Sequence, residues 1–268
     1  MSVASSPIPM MFMTRPQPSG GFEWVQVPTG PLLRNTALEP FANHFFTTAS
    51  LRLREDEQEW HEVARVAGVP TDRLLLLHQV HGRAVAVASS GSTGQWSRPE
   101  ADAAVTDDPS VALVVRVADC APILLADVTT GAVAAVHAGW RSTMHRIVGA
   151  AVTTMRTAFG TNPADLVAAI GPSLGVCCGE MGEEVVEAFR DAGHDHAALE
   201  AWFVRQPGRR PHFDLWRANR DQLEQAGVPR STIHVSGLCT RTHPDIFHSY
   251  RAAGPDAGRM AAVIRANR

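Results

Sequence analysis

VALVVRVADCAPILLADVTTGAVAAVHAGWR, residues 111–141, decides the fold. It contains three apolar runs. VALVVRVA (111–118) predicts one strand, and APILLAD (121–127) and AVAAVHA (132–138) predict two more. The last two are joined by Val128-Thr129-Thr130-Gly131, a length and composition that fit a hairpin turn. Cys120 precedes the first arm of this hairpin and His137 lies near the end of the second. Their midpoint falls at residues 128–129, beside the tip, and residues symmetric about a hairpin tip lie across from one another. The spacing therefore predicts that thiol and imidazole meet, within a residue or two of register. Such a pair is either a nucleophile with its base or two ligands of one metal, and spacing does not choose between them.

Working outward, NHFFTTASLRL (43–53) predicts a strand, and EDEQEWHEVARVAG (55–68) a helix that is acidic at its start and ended by Gly68 and Pro70. LLLLHQV (74–80) and RAVAVAS (83–89) read as strands around a turn at His81-Gly82. On the other side, a long helix is expected over 140–159, a buried strand at LVAAIG (166–171), and helices near 182–192 and 214–226. TIHVSG (232–237) and RMAAVIR (259–265) read as the last strands. Strands outnumber helices, and several are joined by hairpin-length turns. This predicts an α/β (α+β) domain with mixed sheets, not a purely parallel doubly wound one.

The chain has 268 residues, enough for one large domain with a sizeable core. With 45% hydrophobic and 19% charged residues and a formal net charge of −3, its composition is that of an ordinary globular protein. No basic patch is dense enough to make nucleic acid the main partner. No apolar run approaches the roughly 20 residues that cross a bilayer, so no membrane partner is expected. The opening MSVASSPIPMMFMTRPQPSGG makes a poor signal peptide, and its Pro, Ser and Gly content predicts a disordered lead-in over 1–21, followed by a single domain over 22–268. The four cysteines, two of them adjacent, argue against a disulfide framework. A reducing, cytoplasmic setting is expected.

Several other residues can carry chemistry. His81 sits in a tight turn after a very apolar strand, where an imidazole is either exposed or ligating. His78 lies three residues earlier, and on a continuous strand that odd offset sends the two to opposite sides. Gly139 lets backbone approach a ligand closely, and Arg141 opens a helix, where amides and positive charge favour an anion. The loop GPSLGVCCGE (171–180) follows a buried strand and ends in Glu180, a candidate acid, base or ribose ligand. Cys177 and Cys178, being adjacent, are not expected to face one site. Arg251, beside the lone Tyr250, can hold phosphate or carboxylate.

QVHG (79–82), ADC (118–120), HAGWR (137–141), IGPSLGVCCGE (170–180), SYR (249–251) and GRMAAVI (258–264) occur in that order. Together they resemble the bacterial family first described as laccase-like multicopper polyphenol oxidases and now as zinc-dependent purine nucleoside phosphorylases, some members being called peptidoglycan editing factors. The resemblance covers about residues 70–265. It implies a compact α/β domain with mixed sheets packed between helices. It also implies a zinc site (copper less so) at His81, Cys120 and His137; with it, the residue reading expects Cys120 and His137 to be catalytic and Arg141, Glu180 and Arg251 to face substrate and phosphate. The implied reaction is phosphorolysis of adenosine, inosine, guanosine or methylthioadenosine, with possible deamination of adenosine. Its partners are a purine nucleoside and phosphate, and the protein would be a monomer or homodimer. A Cys–His amidohydrolase acting on a cell-wall precursor, a copper polyphenol oxidase and a non-catalytic relative are the alternatives. One stretch departs from the family. FFTTASLRLRED (45–56) lacks the usual Arg-Gly-Gly-x-Ser and Asn-Leu segments, and Glu59-Trp60 stand where an Asn-Arg pair is usual. That departure predicts altered handling of the nucleoside.

Overall fold

The computed structural model describes residues 15–54, 56–88 and 98–268. In chain order the first elements are β1 (Phe22–Val27), β2 (Gly30–Asn35), β3 (Ala42–Phe46), α1 (Glu57–Ala67), β4 (Leu74–Leu76), β5 (Val85–Ala88), β6 (Ala103–Thr106) and β7 (Ala112–Val117). Then come β8 (Ala121–Asp127), β9 (Val133–Ala138), α2 (Trp140–Met144), α3 (Ile147–Phe159), β10 (Leu166–Ile170), α4 (Glu183–Asp191) and α5 (His196–Trp202). The rest are β11 (Phe203–Val204), β12 (His212–Phe213), α6 (Leu215–Gln225), β13 (Ile233–Val235), α7 (Tyr250–Ala253) and β14 (Met260–Ala266). Among the described residues two six-stranded sheets form, in the orders β1-β2-β3-β14-β7-β4 and β13-β10-β8-β9-β6-β5, with β11-β12 as a short separate ribbon. Parallel pairs (β4-β7, β5-β6, β10-β13) stand beside antiparallel ones, so both large sheets are mixed, as the turn lengths predict.

The layers run helix, sheet, sheet, helices. Trp60, Val63, Ala64 and Ala67 of α1 cover the outer face of the first sheet against Phe45, Val114 and Val263. Leu113, Val115 and Ile264 on its inner face meet Leu124, Ala126 and Ala135 of the second sheet. Ile123, Leu125 and Val136 on the far face of that second sheet pack under α3, α4 and α6, through residues such as Val148, Met155, Phe189 and Leu223. Each central strand is thus covered on both faces. This is why β8 and β9 read as unbroken apolar runs without alternation; every residue of both is buried.

Differences from the expected elements have local causes. The strand expected over 74–80 stops at Leu76 in the ladder, because the amides of Val80, His81 and Gly82 turn toward the Asp102 carboxylate. The helix expected over 140–159 breaks at Arg146, which takes a left-handed φ of 59° and donates from its guanidinium to the Ala192 and Gly193 carbonyls at 3.0 and 2.9 Å. The strand over 43–53 is shorter, Ala42–Phe46. β1, β2, β6, α5, β11, β12 and α7 have no counterpart among the expected elements. Of the lead-in, residues 1–14 lie outside the described residues. Residues 15–21 run along the surface, where the Ser19 amide donates to Ser236 O at 2.9 Å and the Trp24 indole to Pro16 O at 2.9 Å.

A buried histidine ties the first sheet together. His44 is 1% exposed; its Nε2 accepts the Asn35 amide at 2.9 Å and its Nδ1 faces Ala42 O at 3.1 Å. Burial, reinforced by the Arg34 charge and opposed by the Ala42 carbonyl, lowers its pKa to about 4. Because the folded value lies below that of the unfolded chain, the unfolded chain binds the extra proton between pH 6.5 and 4, and stability falls with pH across that window. Urea unfolding should therefore show a loss of about 2 kcal/mol from this group between pH 7 and pH 5. His44→Gln, which keeps an acceptor without a titrating ring, should lose correspondingly less over the same interval. An equal loss in both proteins would remove His44 from the account.

Candidate metal centre and cleft

Val117 belongs to the first sheet and Ala121 to the second, so Ala118-Asp119-Cys120 is where the chain crosses between them. Asp119 makes the crossing with a left-handed φ of 82°. It is held there from three directions. Its Oδ1 accepts the Thr240 hydroxyl at 2.6 Å, its Oδ2 accepts the Arg251 amide at 2.5 Å, and its carbonyl accepts the Leu174 amide at 2.8 Å. Cys120 follows at the mouth of the hairpin. The cross-strand partner of His137 is Pro122, so the register runs two positions further than Cys120-to-His137 symmetry predicts. Asp127 causes the shift. Its side chain accepts the amides of Thr129 and Thr130, making the tip a loop that extends to Ala132. Cys120 thus faces Gly139, where a Cβ would lie 3.0 Å from both the Cys120 sulfur and His81 Cδ2. Only glycine leaves that space open.

Asp102, which sequence reasoning missed, organises both histidines. Its side chain is fully buried at the head of β6. One oxygen lies 2.7 Å from His137 Nδ1, and the carboxylate also accepts the amides of Val80, His81 and Gly82 at 3.3, 2.9 and 2.6 Å. The turn carrying His81, whose φ is 61°, is thereby fixed. With Nδ1 of His137 committed to Asp102, its Nε2 is left to the site. Cys120 Sγ lies 3.8 Å from His81 Nε2, and the two imidazole rings sit 4.8 Å apart at 71°. Potential ligand atoms of His81, Cys120 and His137 all lie within 4.8 Å of one another, so the trio can hold a metal ion.

The electrostatics fit a cation. Burial pushes the Cys120 thiol up, but the charge and hydrogen bond of His137, then those of His81, override it and bring it to about 6. Burial pushes His137 down, and the Cys120 thiolate and Asp102 override it, raising it to about 9. Asp102 itself is lowered, the pull of His137 and the turn amides exceeding the cost of burial. A thiolate is present at neutral pH, and a cation between the rings would take over the role of the imidazolium proton.

The trio lies in a cleft of about 1020 Å³. Six arginines line it: Arg54, Arg98, Arg116, Arg141, Arg251 and Arg259. Among the described residues Asp119 is the acidic residue of this lining, and its oxygens are occupied as described. Arg141 lies over the Trp140 ring, 4.2 Å from its centroid. Arg251 donates from Nη1 to Glu180 O at 3.0 Å and Cys178 O at 3.3 Å, bracing the 171–180 loop while lining the cleft. Glu180 is exposed, bridges to His212 and is not among the lining residues; Met181 is. His78 and His81 both line the cleft, since the irregular backbone between them defeats strand parity, but only His81 joins the thiol. In the stretch that departs from the family motif, the Glu59 carboxylate takes the amides of Arg52 and Leu53 at 2.7 and 2.6 Å, and Trp60 is buried under the first sheet. The same stretch sends Arg54 into the cleft, its guanidinium donating to the carbonyls of Pro255 and Ala257.

Known proteins share this arrangement of elements. The structure of YlmD from Geobacillus stearothermophilus superposes with a TM-score of 0.82 at 30% identity, over 91% of this chain and 99% of that one. A purine nucleoside phosphorylase of Deinococcus radiodurans is 42% identical over 205 residues, covering 75% of this chain and 74% of that protein. Adenosine deaminase RL5, from an unknown prokaryotic organism, is 39% identical over 209 residues, covering 75% and 78%. A purine nucleoside phosphorylase of Bacteroides thetaiotaomicron is 40% identical over 163 residues, and there the match spans 60% of the relative's length. The sequence model of one family matches residues 54–267. The chain belongs to that family, described as multi-copper polyphenol oxidoreductase laccase.

Proposed function

We propose that this protein is a zinc-dependent purine nucleoside phosphorylase, with deamination of adenosine as a possible second activity of the same centre. The observation that carries the reading is the His81/Cys120/His137 trio, oriented by a buried carboxylate, on the wall of an arginine-lined cleft. Three ligands of mixed N and S type leave a fourth position open, which suits a catalytic rather than a structural zinc. Bound there, zinc would supply Lewis acidity and lower the pKa of a coordinated water. One His/Cys/His set is too small for a multicopper centre, so the copper named in the family's description is the weaker assignment.

The chain's own groups supply the rest. In phosphorolysis a phosphate oxygen bonds to the ribose carbon as the bond to the purine nitrogen breaks, and the departing base takes up a proton. The arginines raise the local concentration of phosphate and orient it, which is the larger part of what an intermolecular reaction needs. Arg141, stacked on Trp140 and lining the same cleft as His137, is the proposed anchor of the anion. Arg251 is proposed to act as a wall, through its ties to Cys178 and Glu180. The buried Leu77, Leu174 and Phe213 back the cleft with apolar side chains, and the half-exposed Tyr250 offers a ring on which a purine would stack.

A second reading has an observation of its own. A thiol brought to about 6 beside an Asp-oriented imidazole is also what a cysteine nucleophile requires, as in an amidohydrolase acting on a cell-wall precursor. Hydrolysis of an amide that survives complete zinc removal would favour that reading. Phosphorolysis that stops on chelation and returns with zinc would exclude it.

Three outcomes are expected. Cys120→Ala should lower the zinc content by one ion per chain relative to the parent, measured by elemental analysis; unchanged zinc would refute the trio. Asp102→Asn should weaken zinc binding by about 10- to 100-fold through loss of His137 orientation. Chelator competition reads this, with circular dichroism showing that the fold is kept. Release of base from adenosine or inosine should be stimulated by phosphate, and Arg141→Ala should raise KM for phosphate about tenfold or more, the scale of one charge-assisted hydrogen bond. Equal release with and without phosphate would rule out phosphorolysis.

A further inference from the structure

The 171–180 loop carries two cysteines that the cleft does not use, and the fold brings a third to them. Cys177 and Cys178 lie in a single tight turn, Val176–Cys178. That turn puts two adjacent side chains on one side, against the expectation that adjacent cysteines do not face one site, with their sulfurs 3.7 Å apart. Cys239 arrives from the segment after β13. It pairs as a parallel bridge with Ser173, flanked by bonds from the Ser173 amide to Leu238 O at 3.2 Å and from the Thr240 amide to Ser173 O at 3.0 Å. The three sulfurs all lie within 4.8 Å of one another, and none is in a disulfide.

Three features make this a built cluster. The 3.7 Å between the Cys177 and Cys178 sulfurs matches metal coordination, since two thiolates about 2.3 Å from one tetrahedral zinc stand roughly 3.8 Å apart, and Cys239 Sγ lies within 4.8 Å of both. The scaffold is rigid. His212 Nδ1 bonds Val176 O at 2.7 Å, and the Phe213 amide bonds Gly179 O at 2.8 Å. A Cβ on Gly175 would meet Trp216 at 2.8 Å and Cys239 Cβ at 3.2 Å, so the loop can approach Cys239 only as glycine. Access is graded as well. Cys239 is buried, Cys178 half-buried and Cys177 exposed, which leaves an entry path and a solvent side for a fourth ligand.

We infer that Cys177, Cys178 and Cys239 form a second metal site, an all-sulfur one, for a single soft d10 cation, Zn²⁺ or Cu⁺. Thiolate ligands select such ions over hard cations. On binding, the thiols give their protons to solvent and the sulfur lone pairs bond the metal. The site is independent of the reaction proposed for the cleft but is mechanically joined to it. Cys178 O holds the Arg251 guanidinium, and Thr240, next to Cys239, holds Asp119 at the sheet crossing. A cation here would pin the wall that carries Arg251 and Leu174.

The test uses the full chain in a Cys120→Ala background, which disables the His81/Cys120/His137 centre. Cadmium is the spectroscopic probe. One equivalent should still give an ultraviolet thiolate-to-cadmium charge-transfer band. Adding Cys177→Ser and Cys178→Ser should weaken cadmium binding at least about a hundredfold, since losing ligands costs no less than losing the groups that orient them. Zinc and anaerobic Cu⁺, each loaded against a chelator, then identify which d10 ion binds more tightly. Cys177 is exposed and Cys178 half-buried, and circular dichroism checks that the fold is kept. Absence of the band in the Cys120→Ala protein, or a band unchanged by the two serines, overturns the site. Failure of nucleoside phosphorolysis leaves this measurement unaffected.

Discussion

One buried negative charge organises the centre of this molecule. The Asp102 carboxylate is sealed from solvent and is satisfied by an imidazole and three successive backbone amides. A buried ion is tolerated only when paired and hydrogen-bonded on most sides. Here the partners that satisfy it are the parts the site needs: the ring of His137 and the backbone on which His81 sits. The polypeptide between β4 and β5 gives up regular pairing to serve this carboxylate. The resulting left-handed turn at His81 is strained on its own and is stabilised by those amide bonds.

The balance of charge in the cleft follows from the same economy. Cys120 and Asp102 supply negative charge at the centre, and His137 answers both. Among the described residues of the lining the one carboxylate, Asp119, is committed to Thr240 and the Arg251 amide. A wall of arginines attracts anions. The formal net charge of −3 gives no hint of the arginines gathered along the cleft.

Much of the fold was legible in the sequence, and the exceptions have physical reasons. The apolar runs at 121–127 and 132–138 announced β8 and β9, because strands buried on both faces need no polar residues. The approach of Cys120 to His137 followed from hairpin symmetry. Its exact register did not, because Asp127 reshapes the tip through side-chain bonds that symmetry ignores. The break at Arg146 carried no signal, since neither Gly nor Pro marks it; it is imposed by carbonyls at the end of α4. Asp102 was invisible for a similar reason. A single aspartate before a four-residue strand resembles a turn residue, and only the folded chain brings 80, 81, 82 and 137 to it. Glu180 stood out in its loop because it is charged, yet it is its backbone carbonyl that works, holding Arg251.

The crossing at Asp119 has a consequence for assembly. Cys120 is positioned only when β7 has joined one sheet and β8 the other, whereas His137 belongs to β9 and His81 to a turn clamped by the residue before β6. No two of these ligands are near neighbours along the chain, so no local fragment presents the trio. A nascent or denatured chain therefore offers metal only scattered donors, and loading of this centre becomes a late event that reports completed docking of the two sheets. The vicinal thiols at 177–178 obey a different timetable. They are adjacent from synthesis onward and can capture a soft ion before the two sheets behind them have docked.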